Sequence, residues 1–216
     1  LRMPFCAAHS SAALAVNCFA WFKSHGRLSA LELLGARGAA DICFEKKLKI
    51  FSGGTAPHLD VWVERDSEVI AIESKLTEYF DAKKPEFSKA YDRLAPPGLS
   101  EQCWWDVKAA AQQLGPCHLD VAQLVKHYFG LRRYRENSQD KRQVRLLYLF
   151  WEPDNWADSN ECKAHRKQCE KVAQATFCSE IRFEWMAYSE VWENWAKNSE
   201  TKQHVANLRA RYSVDY

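Results

Sequence analysis

Glycine and proline are scarce, at 8 and 7 of 216 residues, which excludes collagen-like and linker-rich architectures. No apolar run approaches the ~18 residues that span a bilayer. Residues 12–22 come nearest to a signal-peptide core, but Asn17 interrupts them and no small-residue cleavage site follows. The chain opens on Leu1 rather than Met, so an earlier start is expected. Charge leans neither way: Lys+Arg 30 against Asp+Glu 28 leaves net +2, so any nucleic-acid footprint must be local. With hydrophobic residues at 47% and charged residues at 27%, a disordered chain is also excluded.

Tryptophan and cysteine are plentiful, at 9 and 8. The tryptophans imply a substantial core or a stacking surface. The cysteines sit partly inside apolar stretches such as Asp41-Ile42-Cys43-Phe44, and the chain is too long to need staples. Reduced thiols and a cytoplasmic location are therefore expected. A zinc site at Cys162, Cys169 and Cys178 with His165 is the alternative, although its spacing is not that of a CxxC knuckle.

Hydrophobic periodicity predicts helices at 10–23, 28–35, 101–114, 119–130 (closed by Gly130), 158–177 and 189–197, followed by a polar tail. It predicts strands at 42–51, 58–64, 69–75, 144–151 and 180–188, with a turn at 52–55. Residues 76–100, broken by Pro85, Pro96 and Pro97, read as irregular with one short helix. Three strands before the central helices argue for a mixed sheet with helices on both faces. One domain over 1–216 is expected, with a helical and irregular insertion at about 76–143.

The chemistry concentrates in one strand pair. If Glu64 pairs with Val69 across the loop Arg65-Asp66-Ser67-Glu68, then Trp62 opposes Ala71 and Asp60 opposes Glu73. The period of two places Lys75 on the same face. Directly opposed β-carbons lie about 4.5–5.5 Å apart, so the carboxylates need a cation between them, from Lys75 or from a divalent metal. The run Val69-Ile70-Ala71-Ile72 is apolar on both faces and marks a central strand. Its ending in Glu73-Ser74-Lys75 is therefore informative. These residue types at this spacing point to metal-assisted hydrolysis.

Residues 57–75 resemble the PD-(D/E)XK nuclease superfamily, the restriction-endonuclease-like fold. Asp60 matches the first acid, and Glu73-Ser74-Lys75 matches the (D/E)-x-K element. Pro57 is separated from Asp60 by His58 and Leu59, a departure from the pattern. The run at 72–80 (IESKLTEYF) is similar to a bacterial family of restriction-type endonucleases within that superfamily, over about residues 5–190. The resemblance implies an α/β fold, with a mixed sheet in helix–β–β–β–helix–β order flanked by helices. It implies a Mg²⁺-dependent endonuclease, with Mn²⁺ as a substitute, that hydrolyses phosphodiester bonds in DNA. Asp60, Glu73 and Lys75 would be catalytic. Asp60, Glu73 and the Ser74 backbone carbonyl would hold the metal, and an upstream acid, Glu45 in preference to Glu32, would join them.

Related nucleases of the RecB type carry a Gln-x-x-x-Tyr helix near the metal. Here Gln123 matches the glutamine, while His127 takes the tyrosine's place and Tyr128 falls one position late. Gln123 is thus expected near the phosphate. Residues 132–145 gather Arg132, Arg133, Arg135, Lys141, Arg142 and Arg145 against only Glu136 and Asp140, with Tyr134 among them. That segment reads as a loop contacting the DNA backbone. Cutting both strands of a duplex favours a homodimer. A catalytically silent nuclease-fold module that binds nucleic acid or a protein is the competing reading. A metal- or thiol-dependent enzyme built on residues 162–178 is a third.

Overall fold

The computed structural model describes residues 10–51, 56–94, 98, 101–138 and 140–215. The expected turn at 52–55, the Pro96-Pro97 break and Cys6 lie outside them. Helix α1 (Ser11–Ser24) begins where the Ser10 hydroxyl accepts the Ala13 N–H at 3.3 Å, satisfying a donor the helix cannot use itself. The helix expected at 28–35 is only a 3₁₀ turn, Leu28–Ala30. It leads into a ribbon of β1 (Glu32–Leu33) and β2 (Ala36–Arg37). Leu34 and Gly35 adopt left-handed backbone, φ 53° and 78°, and reverse the chain there.

The main sheet has five strands in the order β3 (Asp41–Lys47), β4 (His58–Glu64), β5 (Glu68–Lys75), β6 (Gln143–Phe150) and β7 (Arg182–Ala187). The first two joints are antiparallel and the last two parallel. This is the expected mixed α/β sheet. Helices α2 (Gln102–Gln112) and α3 (Val121–Asn137) lie in the crossover from β5 to β6, and α4 (Asn160–Ala175) in that from β6 to β7. These three cover one face of the sheet. Helices α1, α5 (Tyr188–Ala196) and α6 (Lys202–Tyr212) cover the other. Both faces of β5 are therefore dry: Val69, Ile70, Ala71 and Ile72 have no exposed surface. Each buried Val or Ile contributes on the order of 2 kcal/mol, which anchors the charged end of the strand.

Three further departures from the sequence reading have physical causes. Helix α3 does not stop at Gly130 but runs seven residues further, to Asn137. The glycine serves packing instead, because a Cβ there would stand 2.6 Å from Leu48 Cβ. The basic segment is accordingly helical over 132–137 rather than a loop. The polar tail forms α6, which packs Val205 and Leu208 into the rear core, and His204 Nε2 lies 3.0 Å from the Cys18 carbonyl.

Cys18, Cys43, Cys117, Cys162, Cys169 and Cys178 are free thiols. Cys162 and Cys169 are buried in the core beside His165, and Cys178 is exposed. Among the described residues no helix is long and apolar enough to cross a membrane.

Candidate active site

The β4–β5 register pairs Glu64 with Val69, Trp62 with Ala71 and Val61 with Ile72, so the next step sets Asp60 opposite Glu73. Here side chain replaces ladder: Asp60 Oδ2 accepts the Ser74 N–H at 2.7 Å. On the other side of β4, Phe44 pairs with Val61 and Lys46 with Leu59, which sets Glu45 opposite Asp60. Glu45, Asp60 and Glu73 thus form one row across three strands. Glu45 has left-handed backbone, φ 54°, and its carboxylate lies 3.5 Å from His58 Nδ1 at the surface. Glu32 sits in the separate ribbon, paired with Arg37 at 2.8 Å.

The charges at this strand end are tightly arranged. Glu73 is 2% exposed. Its Oε1 accepts from Lys75 Nζ at 2.5 Å, and its Oε2 lies 2.8 Å from His127 Nε2 on α3. Burial works against the Glu73 anion, but Lys75 and His127 outweigh it and hold the carboxyl down at about 2. Asp60 is pushed the other way. Burial and the charge of Glu73 raise it to about 8, against the opposing pull of the Ser74 N–H and Lys75. Burial opposes the Lys75 cation, yet Glu73 and Asp60 together raise its pKa. Near neutral pH the site therefore holds an anionic Glu73, a cationic Lys75 and a largely neutral Asp60.

This donor set fits a hard divalent cation. Two carboxyl groups on adjacent strands face one another, and Asp60 bears the charge conflict that such a cation would relieve. An extended residue sends its N–H and C=O off the same side of the strand, so the Ser74 carbonyl also faces β4. Among the described residues no three carboxylate, histidine or cysteine side chains are already assembled around one point.

His127 is the site residue that sequence reasoning undervalued. Its position four residues after Gln123 puts both side chains on one face of α3, which was the available signal. The imidazole is buried; neither ring nitrogen makes a well-aligned hydrogen bond among the described residues, and Nε2 meets Glu73 as a close polar contact.

Two cavities flank this part of α3. One, of about 480 Å³, is bounded by His58, Tyr91, Asp120, Gln123, Lys126 and His127. The other, of about 100 Å³, is bounded by Lys75, Glu78, Asp81, Lys83, Asp120 and Gln123, with Tyr148 behind them. Gln123 borders both cavities, sharing the larger with His127 and the smaller with Lys75.

The arginine-rich segment does not join them. Arg142 precedes β6 at the Glu68 end of β5, about 23 Å along the strand from Lys75. Arg132, Arg133 and Arg135 lie on the half of α3 remote from Gln123. Most of these cations already have partners: Arg132 and Arg133 meet Glu136, Arg135 meets Glu180, Arg142 meets Asp140 and Glu64, and Arg145 meets Glu68 and Glu184. Lys141 is exposed.

No curated protein and no solved structure matches the chain. A family model does match it, over residues 1–213, and describes a restriction endonuclease associating with ARP. Because the match covers nearly the whole chain, including the three strands of the carboxylate row, this protein belongs to that restriction-endonuclease-like family.

Proposed function

We propose that the protein is a Mg²⁺-dependent deoxyribonuclease of the PD-(D/E)XK type. The observation that carries this reading is the register that sets Asp60 opposite Glu73, with Lys75 bonded to Glu73. Asp60, Glu73 and the Ser74 carbonyl would hold the ion, and Glu45 could join by turning from His58. When bound, the ion would polarise the scissile phosphate and lower the pKa of a bound water.

The chain's own residues do the rest. Glu73 is fixed from two sides, by a sheet lysine and a helix histidine, so its carboxylate is oriented before substrate arrives. Lys75, its side chain 14% exposed, offers a fixed cation to the charge that develops on the phosphate. Gln123 offers an amide to the strand from the helix above. The family description adds association with ARP, and we carry over from it a protein partner for this chain.

Plasmid cleavage with Mg²⁺, with EDTA and with Lys75→Ala tests the reading. We expect cutting with Mg²⁺, none in EDTA, and a loss of at least 100-fold in the variant. Full activity in EDTA, or an unimpaired Lys75→Ala, would overturn it; binding of DNA without any cutting would favour the silent module.

A further inference from the structure

We propose that the 480 Å³ cavity beside Glu73 is a nucleotide subsite. It takes one deoxynucleotide of the scissile DNA strand, its phosphate against Lys126 and its backbone led out over Lys47 and Lys49. This inference rests on the nuclease reading and names where that substrate is held.

Size, polarity and placement converge on a nucleotide. The volume lies within the range of small-molecule sites, about 300–1,000 Å³. The walls supply an amide at Gln123, a hydroxyl at Ser88, two imidazoles at His58 and His127, and the Lys126 ammonium. His127 is 1% exposed on its side chain, touches Glu73, and has an Nδ1 with no partner among the described residues. The imidazole closes the cavity on the side where Glu73 lies, which places the subsite next to the carboxylates. The one carboxylate in this wall, Asp120, already caps α3 by accepting the Gln123 N–H at 2.9 Å, where the helix dipole offsets its charge.

Charge distinguishes this cavity from its neighbour and from the arginine-rich segment. The smaller cavity carries Glu78 and Asp81 as well as Asp120, which suits the metal-bearing side. The larger one opens toward cations that are free to meet phosphate. Lys126 has no ion-pair partner among the described residues and leans on the Phe87 ring at 5.9 Å. Lys47 pairs with His58 across the β3–β4 ladder, and Lys49 follows two residues later; both are exposed and likewise lack ion-pair partners among the described residues. An arginine already bonded to a carboxylate must break that bond to meet DNA, whereas these lysines release only counterions.

The test is the salt dependence of DNA binding, measured in EDTA so that nothing is cut. For Lys47→Ala/Lys49→Ala/Lys126→Ala, we expect the slope of log K against log salt to flatten by about 0.9 for each phosphate that the protein no longer neutralises, hence by about two to three. Arg132→Ala/Arg133→Ala/Arg135→Ala should leave the slope unchanged. Ser88→Trp, which fills the cavity from its rim, should weaken binding at least tenfold with an unaltered melting temperature. A lysine triple variant with wild-type slope, or an arginine triple variant with a flattened one, overturns the subsite. If the wild type still cuts DNA with Mg²⁺, only the subsite fails. A wild type that neither binds nor cuts DNA overturns the nuclease reading and the subsite together.

Discussion

His127 Nε2 on α3 stands 2.8 Å from Glu73 Oε2 on β5, so the helix and the sheet meet at a buried polar contact beside the candidate site. Lys75 holds the other oxygen. Removing the imidazole leaves Glu73 tethered on one side only. We expect His127→Phe, which roughly keeps the volume, to lower single-turnover cleavage by about 10–100-fold, the usual cost of losing a group that orients a metal ligand. The Mg²⁺ concentration for half-maximal rate should rise with it. A variant that folds and cuts like the wild type would show that Lys75 alone orients Glu73.

Asp60→Asn separates a metal site from a structural ion pair. The substitution keeps the shape and removes the carboxyl that Glu73 opposes. Metal-free stability should stay level or rise, by about 1 kcal/mol, since Asn sits beside the Glu73 anion without first taking up a proton as Asp60 must. Cleavage should disappear, and so should the increase in melting temperature that Mg²⁺ gives the wild type by binding only the folded state. Thermal melts of both proteins with and without Mg²⁺ read this directly. A clear loss of metal-free stability, with no Mg²⁺ effect on the wild type, would mark Asp60 as a structural anchor.

The acid limb of stability should carry the signature of His165. Burial, with the charges of His118 and Arg166, depresses this imidazole from its ordinary 6.5 to about 3. It lies 3.0 Å from the Tyr148 hydroxyl and stacks on Tyr79. The unfolded chain takes up a proton below 6.5 that the folded chain refuses until about 3. The His165 contribution is therefore intact above 6.5 and lost as pH falls through that window. One proton corresponds to a slope of about 1.4 kcal/mol per pH unit. Urea titrations from about pH 8 to about pH 4 should show a slope shallower by that amount in His165→Gln.

Gly130 offers a test of packing against propensity. In a free helix, Gly→Ala gains about 1 kcal/mol. At this position the new methyl would meet Leu48 Cβ at 2.6 Å, and overpacking of that kind costs about 1–3 kcal/mol. Gly130→Ala should therefore destabilise, and Leu48→Gly, which removes the Cβ it would meet, should cost less in that variant than it does alone. Chemical denaturation of the two single variants and the double variant measures that coupling.

The strand core was legible because β4 and β5 announce themselves twice, by composition and by a register that a four-residue connection can satisfy in one way. The same register set Asp60 against Glu73. What stayed hidden depended on contacts distant in sequence. Gly130 reads as a helix end until Leu48, from another element, explains it. The segment at 132–145 reads as a basic patch until Glu64, Glu68, Glu180 and Glu184 are brought beside it by the sheet and the turn before β7. Helix α6 was missed because its apolar residues are few, and each finds its place only against α1 and α5. His127 was within reach, one helical turn from Gln123, but nothing local says that the turn faces Glu73.

Ser74 is the one residue whose main chain serves the carboxylates while its side chain belongs to the opposite core. Its N–H goes to Asp60, and its hydroxyl contacts the Tyr188 hydroxyl at 2.8 Å and the Ser11 carbonyl at 3.3 Å. The sheet is thus porous to mechanical influence at this point. A substitution on α5 or at the start of α1 that disturbs these contacts would shift the strand end that carries Glu73 and Lys75. On the nuclease reading, selection for activity would reach through the sheet to Tyr188 and Ser11, and the rear helices would be held to a stricter standard than packing alone sets.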